Sequence, residues 1–364
     1  MDKKTSEKLT ELRQKIDDID KQVIDLLNQR AQAAIEIGKL KNNTGASIYA
    51  PHREKQVLER IHQLNKGPLP DKIFKAIYRE IMSGCISLEK PLSVAYLGPQ
   101  GSFSHLAAIK KFGSSVNYTD VSYIREVFVE VAQGHCDLGV VPVENSIGGV
   151  IIDTLDAFQD LDVKICAEML LPIHHNLLAN CPIDKIKRIY SKPEVFGQCR
   201  IWLAEHLPGI DIQPVPSTSR AAERAAQESN SAAIGSKLAA ELYQLNIVCK
   251  NIEDDPNNST RFIVISKEPA KRTGNDKTAI MFVTAHKAGA LADVLDVFRQ
   301  YKINLTSIDS RPSRKKSWEY YFFIDTEGHY ENENMQQALA EVAKHCLQLT
   351  VLGSFPKALE PLDD

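Results

Sequence analysis

The sequence predicts a multidomain chain of three architectures in series: an all-α segment, an α/β middle, and a small α+β end. Three observations carry this. One helical period runs without proline from about Ser6 to Asn42. At Pro91 the pattern changes to short apolar strands alternating with helical runs. After the charged, Pro- and Gly-containing stretch "SKEPAKRTGNDK" (266–277) it becomes strand–helix–strand–strand–helix–strand. The boundaries drawn are 1–91, 92–268 and 277–364.

Composition leaves that division room. The chain has 364 residues, 43% hydrophobic and 25% charged, with a formal net charge of -3. That length suits two or three domains. The weakly acidic balance gives no electrostatic reason to expect nucleic acid as a partner. Seven cysteines with no C-x-x-C pair argue against a disulfide framework or a thiolate metal site. The opening "MDKKTSEKLTEL" has no apolar h-region, and no later run approaches the roughly 20 apolar residues of a membrane span. The expectation is a cytoplasmic protein with no membrane contact.

In the first segment, alternating steps of three and four pick out Leu9, Leu12, Ile16, Ile19, Val23, Leu26, Arg30, Ala33, Ile37 and Leu40. Nine of these ten are apolar, the spacing of a seam packed on other helices. Thr5 or Ser6 is the expected N-cap and "NNTG" (42–45) the expected stop. Such a helix is roughly 55 Å long. The two helical runs that follow, "APHREKQVLERIHQLN" and "PDKIFKAIYREIMSGCISLE", are too short to cover it. A second copy of the chain is the economical cover. The exception in the seam is a guanidinium, costly to bury unless something anionic meets it. Arg30 and Lys41 are eleven residues apart, so they share a face about 17 Å apart along the axis. Arg13 lies about 26 Å from Arg30 on a straight helix. Unless the helix folds, it cannot share that pocket within one chain, whereas an antiparallel partner helix would bring its own Arg13 there. Arg53 and Glu54 in "HREKQ", and Glu89 at the end of the third run, complete the charged set.

In the middle segment polar motifs fall where strands end, the usual place for ligands in α/β folds. "GPQGSFS" (98–104) is neither a dinucleotide fingerprint nor a P-loop, and reads as a strand-to-helix turn capped by Ser102 or Ser104. "VVPVENSIGG" places Glu144, Asn145 and Ser146 after a buried strand. "STSR" sets Thr218 before a helical run, and "NSTRFIVIS" sets Thr260 and Arg261 at the start of a strand. Four such clusters point to one shared cleft. His174 and His175 are adjacent, a poor spacing for joint metal ligation from a strand, and a core or cleft-edge role is expected.

These motifs resemble a known family. Residues 6–90 look like the all-helical mutase domain of the bifunctional chorismate mutase–prephenate dehydratase family, and the resemblance covers essentially the whole chain. It implies that Arg13 (from the partner subunit), Arg30, Lys41, Arg53, Glu54 and Glu89 line a pocket for chorismate, with Lys41 and Glu89 at the ether oxygen. The middle motifs, the "TRF" triplet above all, resemble the prephenate dehydratase domain. This implies two lobes like a type 2 periplasmic binding protein, Thr260 as the essential hydroxyl, and Glu144 as a partner completing its proton relay. It further implies Asn145, Ser146, Thr218 and Arg261 around prephenate. The βαββαβ end, ferredoxin-like in pattern, resembles the ACT regulatory domain. "AGALADVL" (288–295, with Gly289, Ala290 and Leu291) and "DSRP" (Asp309, Ser310, Arg311, Pro312) match its two signatures for phenylalanine.

The chain departs from the pattern at several places: Glu89 where some members carry Gln, Ala50 for Asp, Lys192 for His, Ala292 for Val and Asp309 for Glu. Arg314, Lys315 and Lys316 read as a solvated hairpin turn. The expectation is a homodimer or larger homo-oligomer that makes phenylpyruvate from chorismate through prephenate, needs no cofactor or metal, and is inhibited by phenylalanine. The competing reading is a ligand-binding regulator with a binding-protein-like domain and an ACT sensor.

Overall fold

The computed structural model describes residues 3–44, 49–313, 319–358 and 361–362. The expected turn at Arg314–Lys316 and the glycine of the "NNTG" stop lie outside these residues. The chain forms two compact units. One comprises residues 1–49, 65–92 and 112–116; the other comprises 50–64, 93–111 and 117–364.

In the first unit, α1 (Lys3–Thr44) packs on α3 (Asp71–Glu89), while α2 (Pro51–Leu64) belongs to the second unit. α1 is already helical at Lys3, so Thr5 and Ser6 are interior positions rather than caps. The residues of α1 drawn in toward the single chain are Arg30, Ala31, Ala34, Ile35, Gly38 and Lys41, a stripe beside the apolar seam. The seam itself stays open: eight of its residues, from Leu9 to Leu40, are 38% to 67% exposed. Gly38 explains the close approach of α3, because a Cβ there would lie 2.8 Å from Cβ of Glu89.

The second unit holds three sheets. The first has the order 117–121, 93–97, 138–145, 259–266, 164–172. Its first three strands run parallel, and Ser259–Ser266 enters antiparallel between Leu138–Asn145 and Lys164–Pro172. The second sheet has the order 246–249, 176–179, 231–235, 188–191, 211–214. The chain thus crosses from the first sheet to the second after Pro172 and returns before Ser259. That double crossing makes two α/β lobes. The two connecting segments are tied by Ile173 N–H to Asn258 O (2.8 Å) and Ile252 N–H to His175 O (2.8 Å).

The third sheet, ordered 305–312, 320–327, 276–284, 346–356, is wholly antiparallel and carries helices Ala290–Gln300 and Glu333–His345. This is the βαββαβ unit expected. Its other face shares a core with the first lobe, where Met281, Phe323 and Phe355 join Ile165, Ile263 and Ile265. Gly353, at φ 152, sits so close to the Ile165 backbone that any Cβ would collide with it.

Candidate active sites

The helical unit brings three of the predicted charges together. Lys41 Nζ is 3.1 Å from Glu89 Oε2, and the Glu89 side chain is only 9% exposed. Arg30 is half-buried, with its guanidinium 2.9 Å from Cys85 Sγ. A thiol is a weak acceptor and carries no compensating charge at neutral pH. The cation is therefore placed but not neutralised by that contact. Arg13 is exposed on the open part of α1. Arg53 and Glu54 lie on α2 in the other unit. There each carboxylate oxygen of Glu54 accepts from Lys111 Nζ at 3.0 Å, a partner that sequence did not suggest, and Arg53 reaches Gln56 at 3.2 Å.

The second site forms where two strands end side by side and the chain crosses between lobes. Thr260 lies opposite Asn145, and Arg261 opposite Glu144. Directly opposed residues share a face of a sheet, and successive residues alternate. Register therefore separates the four into two pairs. On one face, Asn145 Nδ2 donates to Thr260 Oγ1 (2.9 Å) and to Asn258 Oδ1 (2.8 Å). Its Oδ1 accepts from the backbone N–H of Ile147 (3.1 Å) and Gly148 (2.8 Å). Those two backbone donors fix which way the amide faces, since an N–H can meet only the oxygen. Thr260 is 8% exposed, and its oxygen accepts. The hydroxyl hydrogen has no acceptor among the described residues, so it is available to a ligand.

The same polarity continues inward. With Asn258 Oδ1 taken, its Nδ2 donates to Gln198 Oε1 at 3.4 Å, and His175 Nε2 meets that same oxygen at 2.8 Å. Gln198 is half-buried, and its Nε2 has no hydrogen-bond partner among the described residues. Two donors converge on its oxygen, which leaves its NH2 group to be used elsewhere. Gln198, Asn258 and the bond from His175 were not singled out from sequence. Asn258 had a signal in the "NSTRF" stretch itself; the other two had none, because their partners are 23 to 60 residues away.

Two expectations fail on the opposite face. Glu144 sits with Arg261, not with Thr260, and no hydrogen bond joins it to the threonine; the relay through Glu144 is not present. Arg261 is tied up in an ion network: its Nε is 2.8 Å from Glu168 Oε2 and its Nη1 2.6 Å from Asp325 Oδ2. Lys277 also reaches Glu168, at 3.2 Å. Burial pulls the guanidinium pKa down, but Asp325 and Glu168 more than offset it, so the net shift is upward. The arginine is thus committed to protein carboxylates rather than aimed at a substrate. Ser146 is likewise structural, exchanging two bonds with the Ser259 backbone, N–H to O at 2.9 Å and Oγ from N–H at 3.0 Å.

Across the lobes, the "GPQGSFS" turn is capped as expected, with Ser102 Oγ accepting from His105 N–H at 3.3 Å. The turn is held by the second lobe. Ser219 Oγ donates to Gln100 O, and Ser236 Oγ donates to Gly101 O at 3.0 Å. Thr218 is buried in the first turn of helix Thr218–Gln227, whose N-cap Ser217 accepts from Arg220 N–H.

In the third sheet, Gly289, Ala290 and Leu291 line a pocket of about 480 Å³ with Lys287, Tyr320 and Phe322. Gly289 has φ 82, a conformation glycine adopts without strain. The "DSRP" strand is not part of that lining. Asp309 instead shares a small cavity of about 40 Å³ with Glu144, Arg261 and Asp325, and Arg311 lies 3.4 Å from Asp156. Ser310 and Pro312 are exposed.

Comparison with known proteins finds three family models in series along the chain. Residues 12–90 match the family model for chorismate mutase type II, residues 94–270 that for prephenate dehydratase, and residues 278–344 that for the ACT domain. A protein of Aquifex aeolicus called bifunctional chorismate mutase/prephenate dehydratase is 47% identical over 358 residues, covering 97% of this chain and 99% of that one. A namesake from Pseudomonas aeruginosa is 44% identical over 360 residues, with the same coverage. Among solved structures, prephenate dehydratase from Arthrobacter aurescens, in complex with L-Phe, superposes with a TM-score of 0.69 at 33% identity. That match covers 74% of this chain and 92% of the other. With both enzymatic domains and the ACT domain present in this order, the chain belongs to the bifunctional chorismate mutase/prephenate dehydratase family.

Proposed function

We propose that the helical segment rearranges chorismate to prephenate, that the two-lobed segment converts prephenate to phenylpyruvate, and that phenylalanine bound to the ACT unit slows the second step. The first reaction is intramolecular and needs no covalent catalyst. It needs a dicarboxylate held in a compact chair and charge stabilised at the breaking ether oxygen. Arg30 and Lys41 suit the carboxylates and that oxygen. Arg13 of a second copy would complete the set, and the open apolar seam of α1 supports a homodimer or larger assembly.

In the second reaction the ring carboxylate leaves as carbon dioxide, and its bonding electrons complete the aromatic ring. The ring hydroxyl departs and takes up one proton to become water. The observation that carries the assignment is the direction of the hydrogen bond between Asn145 and Thr260. Because Asn145 donates, Thr260 keeps its hydrogen for the departing oxygen. A threonine is too weak an acid to give that proton up alone, so it orients and stabilises while the proton comes from solvent or substrate.

The test is incubation of the full chain with chorismate, following loss of chorismate and then appearance of phenylpyruvate, with and without phenylalanine. Thr260→Val is expected to keep mutase turnover and to lose dehydratase turnover by about a hundredfold or more, the scale of one removed donor at developing charge. Near-normal phenylpyruvate formation by that variant would remove Thr260 from the mechanism. Indifference of both activities to phenylalanine would remove the sensor.

A further inference from the structure

We propose that His175 is a positioning residue for the dehydratase reaction, acting through Gln198: its Nε2–H holds the Gln198 carbonyl oxygen so that the amide NH2 faces the substrate cleft. The inference rests on the dehydratase reading. It assigns a role to a side chain on the crossing segment between the lobes.

Four observations support it. His175 is 1% exposed and its Nε2 is 2.8 Å from Gln198 Oε1. That oxygen can only accept, so the proton is on Nε2. The other ring nitrogen, Nδ1, is buried with no hydrogen-bond partner. A second proton there would be a buried N–H without an acceptor, which is costly. The ring is therefore kept neutral and in one tautomer; burial lowers its pKa in the same sense. Its place is also fixed. The backbone N–H of His175 donates to Glu253 Oε2 at 2.8 Å, and the Phe103 ring meets the imidazole edge-on with centroids 5.6 Å apart.

The consequence concerns orientation. A glutamine amide can flip, exchanging a donor for an acceptor at the same point in space. Asn258 approaches Gln198 Oε1 only to 3.4 Å, a weak restraint. The shorter bond from His175 is the stronger one. Without it, the flipped amide would present an oxygen toward a substrate carrying carboxylates, turning an attraction into a repulsion. His174, the adjacent histidine, meets Glu253 Oε1 at 2.6 Å and takes no part in this contact.

The test compares His175→Gln, which can place an amide N–H near the Nε2 position, with His175→Asn, which is too short to do so. Dehydratase kcat and KM for prephenate are measured on the full chain. Mutase turnover and the thermal transition serve as fold controls. His175→Gln is expected to stay within about threefold of the parent kcat, and His175→Asn to fall by about tenfold to a hundredfold, the cost of a misplaced group in an ordered site. A cycle with Gln198→Leu separates a positioning role from a structural one. If His175 acts through Gln198, adding His175→Asn to Gln198→Leu costs little further. Equal losses in the Gln and Asn variants, full activity in both, or additive losses in the cycle would each overturn the proposal. Loss of phenylpyruvate formation by Thr260→Val with an unchanged response at His175 would leave the dehydratase reading intact and sink this inference alone.

Discussion

Glu89 and Lys41 form one ion pair, yet the mutase reaction we propose would have both act on one substrate oxygen from opposite sides. An ionised carboxylate only accepts hydrogen bonds, so Glu89 helps a developing negative charge only when protonated. While ionised it also competes with the substrate for the protons of Lys41. Both effects have the same sign: the ionised carboxylate works against the reaction, so mutase activity is expected to fall as pH rises. Glu89→Gln supplies a permanent donor and releases Lys41, so its pH profile should be flatter and its activity on the alkaline side higher than the parent's. A profile superimposable on the parent's would take Glu89 away from the ether oxygen. At this scale sequence was informative about which residue types gather, since Arg30, Lys41 and Glu89 were all named from spacing and resemblance. It was silent on facing. Glu144 and Asn145 are neighbours in the chain, but the partners that decide their faces, Arg261 and Thr260, are more than 110 residues away. Alternation says only that the two differ; the register of the returning strand says which of them meets the threonine.

Among the elements, α1 was the most legible and is the least satisfied in one chain. Its 42 residues hold a helical period throughout, but the seam from Leu9 to Leu40 remains open to solvent. Burial of apolar area gives about 25 cal/mol per Å², so eight large side chains left exposed represent a substantial driving force for association. The single chain buries the neighbouring stripe instead, and Gly38 lets α3 come within contact there. The helix thus has one face for its own chain and another left exposed, which we propose a second copy covers. Ile16→Glu, in the middle of the exposed seam and away from Arg30 and Lys41, is expected to lower the oligomeric state in analytical ultracentrifugation. Mutase activity should fall with it, because Arg13 would no longer be delivered, while dehydratase turnover stays near that of the parent. An Ile16→Glu protein with unaltered mass in solution would argue that some other surface covers the seam. The end of this helix was less legible than its middle. The expected caps at Thr5 and Ser6 fail because hydroxyl side chains are tolerated inside a long helix, and local chemistry does not outweigh 42 residues of continuous pattern.

For the whole molecule, the informative fact is that one face of the ACT sheet shares a core with the first dehydratase lobe. Phe323 and Phe355 of one pack with Ile263 and Ile265 of the other, so the strand that carries Thr260 lies in that shared core. Along that strand Thr260 meets Asn145, and the next residue, Arg261, is gripped by Asp325 of the ACT sheet and by Glu168. The four charges Arg261, Lys277, Glu168 and Asp325 balance. Replacing one carboxylate leaves a buried cation uncompensated, which costs about 3–5 kcal/mol. Asp325→Asn is therefore expected to lower the thermal stability of the dehydratase–ACT unit. It also separates two routes for the proposed effect of phenylalanine. The pocket beside Gly289 is lined without Asp325, so phenylalanine binding to the variant should persist in equilibrium dialysis. A ligand alters a distant site only through contacts that differ between two arrangements. If those contacts run through Arg261, dehydratase activity at saturating phenylalanine should be higher in Asp325→Asn than in the parent, relative to each protein's uninhibited rate. Unchanged inhibition with unchanged binding would mean that the signal bypasses the ion network. Binding and inhibition lost together would place Asp325 at the ligand rather than between the ligand and the catalytic strand.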